Sequence, residues 1–304
     1  SVSRRRLLCG FAASGLGLAL DLKGLPAWAA AANATDKGAA DPLYALAYDA
    51  FLYGYPLVHL GRWRDFRMTQ GDPVAKAKFR WGAWTHRTQT VHAQSPGAPQ
   101  TDTLYSIVSL DLKKEPYLLA VPDMGRRYWS IQLVDMLGAT FGLPNRRNTP
   151  GGGLVAIVGP EWKGALPANI AQVYRCPMNS ALGVLRLYFA SDEDQPRAVA
   201  LQTAFTCRPL SAHLSGAEWK GLEPSEIHTN PIKNDPLADF RTLQLMWNEV
   251  APYVGDPVGI ERFKPLGLCT GQTDFDHLPD ATRAAMAQAQ DDVRKLVVAT
   301  WNSA

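Results

Sequence analysis

The chain is poor in cysteine and in charged residues. Its 304 residues include four cysteines, and Asp, Glu, Lys and Arg together make up 19%. So few cysteines exclude the class of small domains held together by disulfide bonds. Hydrophobic residues make up 46%, which excludes disordered and low-complexity chains, because both lack the apolar residues that a core needs. The length suits one large domain or two smaller ones.

Several motifs of catalysis and ligand binding are absent from the sequence. It contains no G-x-S-x-G, so an α/β-hydrolase nucleophile is not indicated. It contains neither C-x-x-C nor H-E-x-x-H, and His86 and His92 lie in an irregular stretch, which favours ordinary loop histidines over a metal site. The glycine run 151–153 precedes a predicted strand and favours a hairpin turn, because a phosphate-binding loop follows a strand and opens a helix. We therefore predict no metal site, and no motif identifies a cofactor.

The first 29 residues have the three parts of a secretory signal. Arg4, Arg5 and Arg6 precede an apolar run over residues 7–20, and Ala27-Trp28-Ala29 follows as a cleavage site. The arginines resemble the twin-arginine export motif, which predicts a periplasmic protein with a flexible leader over residues 30–40. A run of about 14 apolar residues is too short to span a bilayer.

The net charge of +3 comes from this N-terminal segment. The chain has 31 basic and 28 acidic residues, and residues 1–29 contain four of the basic residues and one of the acidic ones. The remaining chain therefore has 27 of each and is neutral. A neutral chain gives no support to nucleic acid as a partner.

Helical patterns occur at both ends of the remaining chain. Asp41-Pro42 is typical of a helix start, and Gly54 and Pro56 predict that this helix ends or kinks there. Asp235-Pro236 repeats the start signal, and a last helix is predicted from Pro279 to about Asn302. The apolar faces of these two helices are Leu237, Phe240, Leu243, Trp247 and Val250 in the first, and Ala285, Met286, Ala289, Val293, Leu296 and Val297 in the second.

Short strands fill the middle of the chain. Alternating apolar residues over 104–112 predict a half-buried strand, and five more short strands follow without helices between them, over 117–121, 128–137, 154–158, 171–175 and 182–189. This pattern predicts an α+β fold: a small antiparallel β-sandwich flanked by an N-terminal helix and a C-terminal helical region. We expect the helix and sandwich over residues 41–190 and the helical region over 191–304. Cys176 and Cys207 form a disulfide bond in one interpretation and are buried thiols, with Cys269, in the other.

Two carboxylates are candidates for acid–base chemistry. Asp135 shares a strand face with apolar residues, so its carboxylate must be paired, hydrogen-bonded or neutral. It is either a group with a raised pKa or a buried residue satisfied by an arginine or by backbone amides. Asp102 is either a second carboxylate near Tyr105 or the start of an Asx turn. A basic cluster at Arg62, Trp63, Arg64 and Arg67 faces an acidic ligand in one interpretation and is a solvated helix end in the other.

Short motifs in a fixed order cover roughly residues 42–175. They are Tyr53-Gly54-Tyr55-Pro56-Leu57-Val58, Asp102-Thr103-Leu104-Tyr105-Ser106, Leu110-Asp111-Leu112, Glu115-Pro116, Val121-Pro122-Asp123, Arg127-Tyr128, Gln132-Leu133-Val134-Asp135, Val158-Gly159-Pro160 and Trp162-Lys163-Gly164. This order resembles the domain of unknown function 1254 family. The resemblance implies a small β-sandwich between helices and no established activity.

The resemblance also raises the question of a further domain. Many relatives carry a second, jelly-roll domain, the domain of unknown function 1214, after the helical part, and this sequence stops about where that domain would start. We expect either a stand-alone form, a truncated one, or one that needs a separate jelly-roll chain. Relatives often have asparagines where this chain has Gln100-Thr101 and Gly138-Ala139-Thr140, so any ligand-binding role of those amides does not carry over.

Two functions fit these observations. The first is a periplasmic binding or interaction module with a cleft for a small ligand, which nine tryptophans and ten tyrosines are available to line. The alternative is an enzyme that uses Asp102, Tyr105 and Asp135 on a small polar substrate, with Arg127 or Arg147 stabilising negative charge. The candidate ligand-binding residues are Tyr55, Arg62, Arg127, Tyr128, Gln132 and Arg147.

Overall fold

A computed structural model describes residues 41–90, 102–224, 235–269, 271 and 273–302. The predicted signal and leader, His92 and the pair Gln100-Thr101 lie outside these residues. Within them, no helix combines the length and the apolar character that crossing a membrane requires.

The first helix, α1, runs from Pro42 to Thr69. The Asp41 carboxylate caps it by accepting hydrogen bonds from the backbone N–H groups of Leu43 (2.9 Å) and Tyr44 (3.2 Å). The helix continues through Gly54 and Pro56, so the prediction that it ends there was wrong. Gly54 is a packing residue: a Cβ at this position would lie 2.4 Å from Leu243 Cδ1, and its absence lets a second helix approach closely. Burial of one side of α1 outweighs the local helix-breaking tendency.

The helical layer consists of α1 and helices from the C-terminal part of the chain. In chain order these later helices are α2 (Gln195–Thr203), α3 (Leu210–Ser215), α4 (Ala238–Val250), α5 (Pro257–Glu261) and α6 (Asp280–Asn302), with short 3₁₀ turns at Lys264–Leu266 and Phe275–His277. Helices α4 and α6 pack on α1. The predicted face of α4 is fully buried, and that of α6 is buried as far as Val293 and half-buried at Leu296 and Val297.

Two β-sheets form the rest of the described chain. Their strands in chain order are β1 (Thr85–Arg87), β2 (Thr103–Asp111), β3 (Tyr117–Val121), β4 (Trp129–Asp135), β5 (Thr140–Gly142), β6 (Gly153–Val158), β7 (Ile170–Arg175), β8 (Ser180–Tyr188) and β9 (Thr206–Pro209). One sheet has the order β1-β2-β8-β4-β5 and is antiparallel throughout; the other has the order β7-β6-β3-β9, and its β6–β7 pair is parallel. The predicted α+β class is confirmed, with a sandwich between helices and no closed barrel.

The three strands that the sequence did not indicate are β1, β5 and β9. Each has three or four residues, which is too short to show an alternating pattern. Strand β9 pairs with β3, so the second sheet includes a strand from beyond residue 190, within the stretch that we assigned to the helical region. Gly151 and Gly152, with φ values of 76° and 82°, lie in a turn that leads into β6. This turn is not the predicted hairpin, because β5 and β6 belong to different sheets.

The core of the sandwich comes from the facing sides of both sheets. Buried apolar residues at alternate positions fill it, among them Leu104, Val108 and Leu110 from β2, Leu185 and Leu187 from β8, Ile131 from β4, Leu119 from β3 and Val155 and Ile157 from β6. Cys176 and Cys207 are buried here as free thiols, and Cys269 is also free. The interpretation without a disulfide bond is therefore the one that the structure supports. Burial raises the pKa of the Cys176 thiol to about 12.

Candidate functional site

Asp102 and Asp135 lie at opposite ends of the five-stranded sheet. Strand β8 pairs with both strands concerned: Tyr188 is opposite Thr103, which follows Asp102, and Ala181 is opposite Asp135. Seven residues along a strand span about 23 Å, so no small substrate can touch both carboxylates. The structure therefore does not bring Asp102, Tyr105 and Asp135 together in one site. They cannot act jointly on a small substrate, contrary to what we proposed from the sequence.

Asp135 is held by the backbone of the turn that follows it. Its side chain is 1% exposed, and Oδ1 accepts hydrogen bonds from the N–H groups of Leu137 and Ala139, both at 2.9 Å. Burial raises the pKa of this carboxyl, and the two amides oppose that shift. Asp135 is thus the buried residue satisfied by backbone amides, and it fixes the turn between β4 and β5.

The two candidates on α1 belong to the helix packing. Arg62 Nη1 lies 2.5 Å from Oδ1 of Asp239, a buried residue of α4, and Arg294 Nε of α6 lies 2.5 Å from Oδ2 of the same carboxylate. Tyr55 stacks on His59 of its own helix, with ring centroids 6.1 Å apart. Arg62 therefore joins three helices, and neither residue contacts the other ligand-binding candidates.

The other two arginines of the basic cluster also form ion pairs with carboxylates of the protein. Arg64 is 2% exposed, and its guanidinium contacts the Glu249 carboxylate at 2.5 and 2.8 Å and the Asp65 carboxylate at 2.9 Å. Arg67 lies 3.8 Å from the buried carboxylate of Asp72. Both earlier interpretations, a site for an acidic ligand and a solvated helix end, are wrong for Arg64, because a buried guanidinium requires charged partners.

His86 is a hydrogen-bonded residue of the protein interior. Its Nδ1 lies 2.8 Å from Ser106 Oγ, which also accepts a hydrogen bond from Gln202 Nε2 at 2.9 Å. Burial lowers the pKa of His86 to about 4, so its imidazole is neutral at physiological pH. In the part of the chain that the structure describes, no three His, Cys, Asp or Glu side chains are grouped as a metal ion would require.

Two of the remaining candidates lie together at the Tyr188 end of the five-stranded sheet. Arg127 and Tyr128 line a groove of about 850 Å³ between the 123–128 segment and α2. Its lining is Asp123, Met124, Gly125, Arg126, Arg127, Tyr128, Tyr188, Ala190, Asp194, Arg197, Ala200 and Leu201. We call this groove, defined by these residues, the arginine groove. Its walls are a turn and a helix that both pack on the sandwich, so its shape is set by the fold.

An ion pair ties the two walls of the arginine groove together. Arg127 Nη1 and Nη2 contact Oδ2 and Oδ1 of Asp194 at 2.6 and 2.7 Å, and Nη1 also donates to the carbonyl oxygen of Tyr188 at 2.8 Å. Asp194 Oδ2 accepts a further bond from Ala190 N–H at 3.0 Å. Hydrogen bonds from Arg127 are the main reason that the pKa of Asp194 lies well below its usual range, and the positive charge of Arg197 contributes.

The groups left available in the arginine groove are two arginines and two tyrosines. Arg126 and Arg197 are exposed and form no ion pair within the described ranges. Tyr128 is 51% exposed and Tyr188 38%, so both rings are accessible from solvent. Guanidinium groups without a carboxylate partner, beside accessible rings, form a surface that can bind an acidic group and a flat apolar one.

The outer face of the sheet continues this aromatic surface. Tyr105 lies opposite Arg186 in the β2–β8 register, and the guanidinium carbon of Arg186 is 5.4 Å from the centroid of the Tyr105 ring. Tyr128 Oη lies 3.2 Å from Ser130 Oγ, and Ser130 is opposite Arg186 in the β4–β8 register. Tyr105 therefore lies on the same sheet face as Tyr128 and Tyr188 of the arginine groove. The sequence did not indicate that these three tyrosines share a face.

The last three candidates do not line the groove, and Gln132, opposite Val184, lies in the middle of the sheet. Asp102 is exposed, and its carbonyl oxygen accepts a hydrogen bond from Phe189 N–H at 3.0 Å. Gln132 donates to Thr140 Oγ1 at 2.8 Å. Arg147 is exposed in the turn before β6, where its N–H donates to Asn145 Oδ1 at 2.8 Å.

Four residues on which the groove depends were not among the sequence candidates. Arg126 directly precedes Arg127, Tyr188 ends a strand, Asp194 directly precedes α2, and Arg197 lies on that nine-residue helix. A signal for Asp194 was present, since an acidic residue just before Pro196 is typical of a helix start. Its carboxylate nevertheless makes no cap bond to α2 and turns instead toward Arg127 and Ala190.

A solved structure from another protein shares this architecture. The VPA0106 protein from Vibrio parahaemolyticus has a crystal structure that matches with a TM-score of 0.66 at 22% identity, over 84% of this chain and 58% of that one. The chain thus spans a little over half the length of that relative. An uncharacterised protein from Burkholderia cenocepacia aligns with a TM-score of 0.31 and 14% identity over 72% of this chain and 59% of its own. No curated protein matches the sequence.

A protein-family model matches the central part of the chain. Residues 82–209, which run from just before β1 to the end of β9, match the model described as protein of unknown function DUF1254. This range covers both sheets and α2, and so includes the whole arginine groove. The resemblance noted in the sequence motifs is therefore confirmed over residues 82–209, which are similar to the DUF1254 family.

Proposed function

We propose that the protein is an exported binding module for a small ligand and that the arginine groove is its binding site. One observation carries the proposal: Arg126 and Arg197, exposed and without ion-pair partners in the described chain, flank a groove of about 850 Å³ in which two tyrosine rings are accessible. A volume of this size is typical of pockets for small molecules.

The construction of the groove favours binding over a purely structural role. Arg127 already connects the two walls, so Arg126 and Arg197 are not needed for that connection. Nor do they form ion pairs elsewhere in the described chain, in contrast to Arg62, Arg64 and Arg67. Exposed charged side chains without an ion-pair partner are available to a ligand.

Acid–base catalysis has less support than binding. The two carboxylates proposed for it are about 20 Å apart along the sheet, and Asp135 is engaged by backbone amides. Of the three proposed catalytic residues, Tyr105 alone lies on the sheet face that adjoins the groove. Binding is therefore the function that the geometry favours.

The proposed place of action is the periplasm. Support comes from the sequence of residues 1–29, with its arginines, apolar run and Ala-x-Ala site. Replacement of Arg4 and Arg5 by lysine should retain the protein in the cytoplasm, as measured by cell fractionation. An unchanged periplasmic yield would contradict this export route.

A fragment screen by NMR tests the binding site. With ¹³C-labelled tyrosine, small fragments should shift the signals of Tyr128 and Tyr188 and leave the buried Tyr44 and Tyr117 unchanged. Hits that map elsewhere, or a library without hits in the groove, would contradict the proposal. If the protein instead binds a separate jelly-roll chain, a purified jelly-roll domain should form a complex with it on size exclusion and broaden these same signals.

A further inference from the structure

We infer that the arginine groove selects a small organic anion with a flat apolar part, and that Arg126 and Arg197 bind its acidic group. This inference rests on the proposed function and specifies the chemical class of the ligand. It also assigns a role to Asp194, whose carboxylate competes with the ligand for the positive charge of the groove.

The charges of the groove favour anions. Three arginines and two aspartates line it, which leaves one net positive charge. Asp194 is occupied by Arg127 and Ala190, and Asp123 Oδ1 accepts a hydrogen bond from Gly125 N–H at 2.9 Å. The groups that remain for a ligand are therefore mainly hydrogen-bond donors, above all the two guanidinium groups. Guanidinium groups bind carboxylates through paired N–H donors.

The other residues that line the groove indicate that the ligand has a flat apolar part. Tyr128 and Tyr188 start from neighbouring strands, since Tyr188 N–H donates to the carbonyl oxygen of Tyr128 at 3.1 Å. Leu201 and Met124 add aliphatic surface to the same groove. A flat ring can pack on these side chains while its acidic group reaches Arg126 or Arg197.

Asp194 sets the affinity for the anion. Its carboxylate neutralises Arg127, which would otherwise be the third arginine available in the groove. An asparagine at position 194 keeps an oxygen that can accept from Ala190 N–H but loses the negative charge. Arg127 then becomes a partner for the ligand, so anion binding is expected to strengthen and not to weaken.

Three probes with one ring and different charges test the selectivity. Isothermal titration calorimetry at low salt should show that benzoate binds about tenfold more tightly than benzamide, and that benzylamine binds most weakly, because one charge-assisted hydrogen bond contributes about this factor. Benzoate binding should weaken about tenfold in Arg126→Gln and in Arg197→Gln, with benzamide binding unchanged. Both arginines are exposed, so these variants should keep the melting temperature of the wild type.

Two further variants complete the test. Lys114→Gln removes one positive charge from an exposed residue at the other end of the sheet, and should leave benzoate binding unchanged. Asp194→Asn should tighten benzoate binding at least about threefold. Equal affinities for benzoate, benzamide and benzylamine would overturn the inference, as would arginine variants that behave like Lys114→Gln. If benzamide still shifts the signals of Tyr128 and Tyr188, the proposed binding site stands and only the anion selectivity fails.

Discussion

Arg127 and Asp194, 67 residues apart in the chain, form a two-point ion pair with contacts of 2.6 and 2.7 Å. Since Arg127 also donates to the carbonyl oxygen of Tyr188, one side chain connects the start of β4, the end of β8 and the start of α2. These three elements position the two available arginines and the exposed tyrosines. The ion pair thus connects the elements that line the arginine groove.

Loss of this ion pair should loosen α2. Arg127→Gln removes both contacts to Asp194, so we expect a lower melting temperature and faster amide hydrogen exchange in α2 than in β2. Asp194→Asn should show a smaller effect, because the amide can still accept from Ala190 N–H. A double-mutant cycle measures the coupling between the two residues. Additive changes in the free energy of unfolding would show that the pair is not coupled.

The same pair predicts a dependence on pH. The pKa of Asp194 is lowered in the folded protein, so its stabilising contribution is complete above the unfolded pKa of about 4 and is lost as the pH falls through the folded value. The free energy of unfolding should therefore fall more steeply below pH 4 in the wild type than in Asp194→Asn. Parallel curves for the two proteins, from urea denaturation, would contradict this role.

Arg64 should be essential to the packing of α1 on α4. Arg64→Met leaves the Glu249 carboxylate without its guanidinium partner in a buried position. Removal of one partner of a buried ion pair costs about 3–5 kcal/mol. Urea denaturation measures this loss, and Arg262→Met, which breaks the more exposed pair with Asp49, should cost less than about 1 kcal/mol. Similar losses in the free energy of unfolding for both variants would contradict the essential role of the buried Arg64 ion pair.

His86 should make the protein less stable in mild acid. Its folded pKa of about 4 lies below the usual 6.5, so the unfolded chain binds a proton first as the pH falls from 6.5. The expected loss in free energy of unfolding reaches about 3 kcal/mol at pH 4. His86→Gln should remove this slope, whereas His59→Gln, at an exposed position on α1, should keep it. A slope that survives in His86→Gln would assign the effect to another group.

Two substitutions at Asp135 separate a structural role from a catalytic one. Asparagine keeps an oxygen for the N–H groups of Leu137 and Ala139, so Asp135→Asn should unfold at nearly the same denaturant concentration as the wild type. Asp135→Ala leaves two amides without this acceptor, which should cost about 1–3 kcal/mol. Equal stability of the two variants would contradict the role in the turn.

The sequence predicted the longer elements well. Residues 117–121 form β3 with the predicted limits, and the apolar face of α4 is buried as expected. A long segment shows its secondary structure through the periodic spacing of its apolar residues. The short strands β1, β5 and β9 have no such pattern and form because longer strands lie beside them. In helix α1 the local sequence was misleading. Gly54 and Pro56 usually end a helix, but tertiary packing at Gly54 keeps the helix continuous through both residues.

The candidate site was predictable only in part. Arg127 and Tyr128 stood out because they lie in a motif, but their groove partners come from α2 and from the end of β8. Pairing between strands decides which residues meet, and the sequence does not show that β8 lies between β2 and β4. For the same reason, the sequence did not show that Asp102 and Asp135, proposed for one catalytic site, lie at opposite ends of one sheet.

Native mass spectrometry of the protein purified from the periplasm shows whether the arginine groove holds a small organic anion. The wild type and Lys114→Gln should carry a small molecule that denaturation releases and that contains an acidic group. The double variant Arg126→Gln/Arg197→Gln should be folded and free of that molecule. The account would be contradicted if the double variant kept the same bound mass, or if the released molecule had no acidic group.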